Sequence, residues 1–130
     1  MSWVEIFAVF VVSHLVGDYL VQTDWQARNK REGLAGNPLR RRALVTHVIT
    51  YTLTFVPALV WLADSLGAGV VWVAGLIFVP HLVQDDGRLI TAWLLRIKGC
   101  SEATAAEIFT PVDQSFHVLT LFGIALAASG

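Results

Sequence analysis

Three features of this 130-residue sequence predict an all-α fold: an integral membrane bundle of four transmembrane helices, with an amphipathic interfacial helix between spans three and four. Apolar residues make up 55% of the chain, charged residues only 15%, and the mean hydropathy is +0.63. A soluble domain this small leaves much of its surface in water and spends about a quarter of its residues on charge, so lipid is the expected solvent. Four apolar stretches approach the roughly 20 residues that a helix needs to cross a hydrocarbon core of about 30 Å. All nine Lys and Arg residues fall in two of the connections between them. The composition excludes disorder, and a net charge of −1 argues against a nucleic-acid partner. The single cysteine, Cys100, excludes an internal disulfide and a cysteine-based zinc site.

The chain reads as one membrane domain, residues 1–130, with spans at about 3–22, 43–63, 69–86 and 111–128 and an interfacial helix at about 88–98. The first stretch lacks a basic start and a small-residue cleavage site and carries His14 and Asp18, so it is expected to be a permanent span. Asn37 and Pro38 form an N-cap and first-turn pair for the second helix. Arg40, Arg41 and Arg42 follow; three cations at a helix N-terminus oppose the macrodipole, so membrane orientation or anionic headgroups explain them better than helix stability does. A glycine-rich turn, Asp64 to Gly69, joins spans two and three. After Asp85, Asp86 and Gly87, the residues Leu89, Ile90, Trp93, Leu94 and Ile97 repeat at helical spacing beside Arg88, Arg96 and Lys98, a pattern for the membrane surface. Thr110 and Pro111 are the expected cap and first turn of the last span. The positive-inside rule puts both charged connections in the cytoplasm and both termini outside, in the inner (cytoplasmic) membrane.

The informative residues are those a bilayer should exclude, since each charged group at its centre costs at least about 2.5 kcal/mol. His14 and Asp18, His81 and Asp85, and Asp113 and His117 are each four residues apart, one helical turn, so each pair shares a helix face. His47 heads the second span, with Tyr51 one turn on. With the expected topology, all seven candidate ligands lie within about two turns of the cytoplasmic boundary and meet in one layer. Imidazole mixed with carboxylate suits a divalent metal, zinc first, with manganese or iron as alternatives. Seven ligands exceed the need of one tetrahedral ion; two metals, or one metal with carboxylates orienting the histidines, would use them. Each piece also has a structural explanation. A buried histidine is commonly a hydrogen-bonded core residue, Asp113 occupies a capping-box position after Thr110, and polar pairs in a membrane serve as interhelical glue or a proton relay.

At these motifs the chain resembles the bacterial and phage membrane-protein family known as domain of unknown function 3307. The resemblance rests on H-L-V-G-D-Y-L-V-Q-T-D-W from His14 to Trp25, Asn29 and Lys30, His47, His81 to Asp85, and D-Q-S-F-H from Asp113 to His117. It implies a small multi-span membrane protein and brings no activity with it.

The leading functional expectation is a membrane-embedded metal-dependent hydrolase acting on a lipid, a phosphate ester or a membrane peptide. His14, His47, His81, His117, Asp18, Asp85 and Asp113 would hold metal, and whichever of the three aspartates is not a ligand would act as general base. Gln22, Arg88 and Gln114 are the expected substrate-binding residues, Arg88 as a phosphate clamp. The alternatives are ion or proton transport, and a non-catalytic protein whose polar layer ties the helices together. Membrane lipid is the expected partner, together with a second copy of the chain, because four spans make a thin bundle.

Overall fold

The structure, a computed structural model, describes residues 1–130 and contains helices and no strand. Helix α1 spans Trp3–Val21, its last six residues widened into π geometry. It is followed by α2 (Asp24–Asn29), α3 (Pro38–Thr54), α4 (Val56–Leu66), α5 (Val70–Asp86), α6 (Arg88–Ala92, continued by a π turn, Trp93–Ile97) and α7 (Glu102–Ala128).

Three stretches are long and apolar enough to cross a membrane: Trp3–Val21, Val56–Asp86 and Glu102–Ala128. The middle one folds back at its centre. Gly67 adopts φ +52° and ψ −128°, and the Gly67–Gly69 turn sends α5 back along α4 and then α3, bringing His81 to His47. The expected second span, 43–63, is divided at Phe55 into the 17-residue α3 and the 11-residue α4, neither of spanning length alone. Pro57 is the cause, for it has no N–H to give the preceding turn. Asn37 caps α3 as its sequence indicates, accepting from the N–H groups of Leu39 and Arg40.

The start of the last helix differs from expectation. Ser101 caps α7, accepting from the N–H of Thr104, and the helix runs through Pro111 without ending. Ala105 and Phe109 lie on the additional turns and pack against Ile90 and Leu94 of the α6 segment, so tertiary burial extends the helix past the proline. Asp113 is consequently an interior helix residue, and helix capping does not account for it.

Buried positions recur every four residues on three helices. They are Ile6, Phe10, His14 and Asp18 on α1; Val73, Ile77, His81 and Asp85 on α5; and Ala105, Phe109, Asp113, His117 and Leu121 on α7. The α1 and α5 stripes are apolar first and ionisable at their ends, and the α7 stripe carries its ionisable pair between apolar turns, so the polar residues fall at one level. A large apolar cluster containing Phe10, Tyr51, Phe55, Leu62, Ile77 and Leu121 lies on one side of that level, and the smaller Ile90 cluster lies on the other. Large apolar side chains such as Val12, Leu20, Val60, Val71, Trp72 and Leu119 face outward, as suits a protein whose solvent is hydrocarbon.

Gly17 lets α1 approach α3 at the level of the polar layer: a Cβ there would stand 2.6 Å from Tyr51 Cδ2 and 3.0 Å from Thr54 Oγ1. Overpacking of this kind costs about 1–3 kcal/mol. Gly17→Ala is expected to lower thermal stability in detergent by that amount, whereas Gly75→Ala, with open space around it, should leave it unchanged. Equal melting of the two variants would show that the helices do not pack this closely.

Candidate metal centre

The layer draws one face from each of four helices. α1 supplies His14 and Asp18, α3 supplies His47 and Tyr51, α5 supplies His81 and Asp85, and α7 supplies Asp113, Gln114 and His117; all but Gln114 are buried. The structure thus brings together the seven residues that the sequence singles out for metal, although they stand in two different settings.

At the centre, His47 Nε2 and His81 Nε2 lie 3.2 Å apart. Asp18 Oδ1 is 3.3 Å from the first and 3.4 Å from the second, and Asp85 Oδ2 is 2.7 and 3.1 Å from them. On the other carboxylate oxygen, Asp85 Oδ1 faces His117 Nε2 at 3.2 Å. One donor atom from each of Asp18, His81, Asp85 and His117 lies within 4.8 Å of the others. These approaches are not a set of pairwise hydrogen bonds. Asp18 Oδ1, Asp85 Oδ1 and His117 Nε2 have no hydrogen-bond partner, and His47 Nε2 and His81 Nε2 bond only to each other. The His117 ring is oriented from behind, its Nδ1–H donating to the Asp113 carbonyl at 2.8 Å. In the neutral ring this leaves a lone pair on Nε2 directed at the Asp85 side.

His14 stands apart. Gln114 Nε2 donates to Asp18 Oδ2 at 3.1 Å, so Gln114 Oε1 must accept from His14 Nε2–H at 2.7 Å, and His14 Nδ1 in turn accepts from the Tyr51 hydroxyl at 2.9 Å. Both imidazole nitrogens are engaged, and the chain of bonds fixes the rotamer of Asp18. Tyr51 also stacks on His81, centroids 3.4 Å apart and planes 5° from parallel. Neither His81 Nδ1 nor His47 Nδ1 has a hydrogen-bond partner.

A cavity of about 220 Å³ reaches the layer from the end where the charged connections lie. Asp18, Asp85 and Asp113 form its floor, Gln22 and Gln114 its wall, and Lys30 and Arg31 its mouth. Lys30 Nζ meets Asp85 Oδ2 at 2.8 Å and is only 14% exposed. Arg88 is not among the lining residues. It extends toward solvent and pairs with Asp86 at 2.6 Å, because Gly87 ends α5 in a left-handed conformation and turns the next residue away from the Asp85 face. Lys30 and Arg31 have no local sequence signal for this position, since Lys30's partner is 55 residues distant.

Residues 6–129 match the family described as protein of unknown function DUF3307, and the chain belongs to that family. No curated protein and no solved structure matches it.

Removing one partner from a buried ion pair costs about 3–5 kcal/mol because the other charge is stranded. Asp85→Asn is therefore expected to destabilise the metal-free protein by roughly this amount, read as a lowered unfolding temperature in detergent. Asp24→Asn, which breaks the Arg28 pair with both side chains 77% exposed, should not measurably shift it. A stable Asp85→Asn protein would remove Asp85 from the centre of the packing.

Proposed function

We propose that this family member is a four-span protein of the inner membrane that holds a divalent metal in its His/Asp layer and uses it to hydrolyse a lipid, a phosphate ester or a membrane peptide. The fourth span in this reading is α3 continued by α4. Zinc is the first choice of ion, with manganese or iron as alternatives.

One observation carries the reading. Four donors set about 2.0–2.1 Å from an ion at tetrahedral angles are about 3.3–3.4 Å from one another. The five distances among His47 Nε2, His81 Nε2, Asp18 Oδ1 and Asp85 Oδ2 given above run from 2.7 to 3.4 Å. Donors with this spacing, of which only the two imidazole nitrogens have hydrogen-bond geometry toward one another, are arranged as they would be round a common cation. His117 is placed to join on the Asp85 Oδ1 side, as a fifth ligand or toward a second ion.

A bound ion of this kind supplies a Lewis acid and lowers the pKa of a bound water to about 7. The chain's own residues would do the rest. His14 and Gln114 hold Asp18, Tyr51 holds His81, and the Asp113 carbonyl holds His117, so the donors are positioned before an ion arrives. Asp113 is the aspartate outside the four-donor set. Its Oδ1 is buried and unpartnered, and it lines the cavity, which suits it to take a proton from water there. The apolar cluster beyond the layer supports a site open from one side only.

Elemental analysis of chelator-stripped and reloaded protein tests the metal. Wild type is expected to retain about one ion per chain and Asp18→Ala and His81→Ala to lose at least about tenfold in affinity, with Asp24→Ala unchanged. Wild type that retains no ion after reloading with zinc, manganese and iron would overturn the metal reading. Topology has a separate test in Cys100, the single cysteine, in the connection before α7. A membrane-impermeant maleimide should label it in inverted inner-membrane vesicles and not in spheroplasts; the reverse pattern would place the charged connections outside.

A further inference from the structure

We infer that the cavity above the His/Asp layer binds a phosphate group, with Lys30 and Arg31 as its cationic ligands and Gln22 and Gln114 as flanking hydrogen-bonding groups. The inference rests on the metal reading and names the substrate class that the site would take.

The two cations have unlike roles. Arg31 lies with its guanidinium carbon 3.6 Å above the Phe109 ring and makes no ion pair. Stacking occupies the face of the guanidinium and leaves the N–H groups at its edge free, the arrangement in which arginine receives an oxyanion bidentately. Lys30 points inward to Asp85 Oδ2, one of the four proposed metal donors. An ion at that oxygen repels the ammonium, and a phosphate in the cavity gives it a new partner within the reach of its flexible stem.

The backbone fixes both residues rather than leaving them on a free loop. The Glu32 N–H donates to the Asp86 carbonyl at 2.8 Å, and the Leu34 N–H donates to Asp86 Oδ1 at 2.8 Å. Glu32 takes a left-handed conformation, φ +59°, to make this turn. Asp86 thus anchors the segment that carries Lys30 and Arg31, while the neighbouring Asp85 enters the layer.

Charge selects the ligand. Three aspartates and two cations line the cavity and leave an excess of one negative charge, which repels anions; a divalent ion reverses the sign. The cavity opens at the end carrying the basic connections, where lipid headgroup phosphates lie in a membrane-spanning arrangement. Phosphate is therefore the shared chemistry, supplied by a headgroup or by a soluble ester.

The test measures metal content and phosphate affinity on the same samples of full-length protein. Inorganic phosphate is titrated calorimetrically into metal-loaded wild type, Lys30→Gln, Arg31→Gln and, as a control, Arg28→Gln, whose side chain points to solvent beside Asp24. A second arm uses phosphatidylcholine nanodiscs with and without phosphatidic acid. Losing a charge-assisted hydrogen bond should weaken phosphate binding by roughly ten- to a hundredfold in Lys30→Gln and Arg31→Gln, with Arg28→Gln unchanged. Arg31→Gln is the decisive variant, since its exposed side chain makes no contact with a proposed metal ligand. Competition by phosphatidic acid identifies the headgroup as the source, and its absence identifies a soluble phosphate; both support the site. Metal-loaded protein that ignores phosphate, or binds it equally in all variants, overturns the inference and leaves the metal reading standing. Protein with neither ion nor phosphate overturns both. Phosphate binding that depends on Arg31 in protein without metal supports the anion site and removes the metal.

Discussion

The carboxylate of Asp85 is the group on which the interior depends. An ion taken out of water costs several kcal/mol even after the protein relaxes, and a carboxylate 3% exposed must find its compensation within the fold. Asp85 finds part of it in Lys30, whose ammonium meets Oδ2 from the segment after α2, while His47 of α3 and His81 of its own helix crowd the same oxygen and Oδ1 faces His117 of α7 without a donor. Much of the architecture follows from gathering these groups. α1 closes on α3 through Gly17, α5 folds back at Gly67 to bring His81 to His47, and the loop after α2 is tied to Asp86 so that Lys30 arrives inside. The last turn of α5 works on both sides, Asp85 facing inward and Asp86 holding the chain that covers it.

What the sequence disclosed was local, and what it concealed was not. Pairs one helical turn apart are visible without any tertiary information, and His14–Asp18, His81–Asp85 and Asp113–His117 meet as that spacing implies. The same reasoning failed for Arg88, because three residues' separation implies a shared face only while the helix continues, and Gly87 interrupts it. Pro57 in the second apolar stretch was a readable warning of the break at Phe55. At Pro111 the opposite outcome holds: burial of Ala105 and Phe109 against Ile90 and Leu94 carries α7 through a residue that usually opens or ends a helix. Lys30 and Arg31 could not have been placed from sequence, since the segment holding them is set by Asp86, more than fifty residues on. One legible pattern does run beyond the local pairs: the four-residue recurrence of buried positions along α1, α5 and α7 is present in the apolar residues flanking each pair.

A structural layer of hydrogen bonds, a proton path and a metal site would all place histidine beside aspartate, and they differ in where protons must lie. If glue were the purpose, each imidazole N–H would point at an acceptor. His14 meets that description at both nitrogens, and His117 meets it at Nδ1 alone. At the centre the pattern changes, for Asp18 Oδ1, Asp85 Oδ1 and His117 Nε2 are acceptors without donors, while Lys30 offers one positive charge to three aspartates. A proton path would also have to continue past Tyr51, Phe55 and Leu62, which together with Phe10, Ile77 and Leu121 close the far side with apolar surface. Unpaired acceptors facing one another, a deficit of positive charge and a single polar entrance are each explained by a cation arriving from the side of the charged connections. Hydrogen-bonded glue accounts for the periphery of the layer and leaves its centre unexplained.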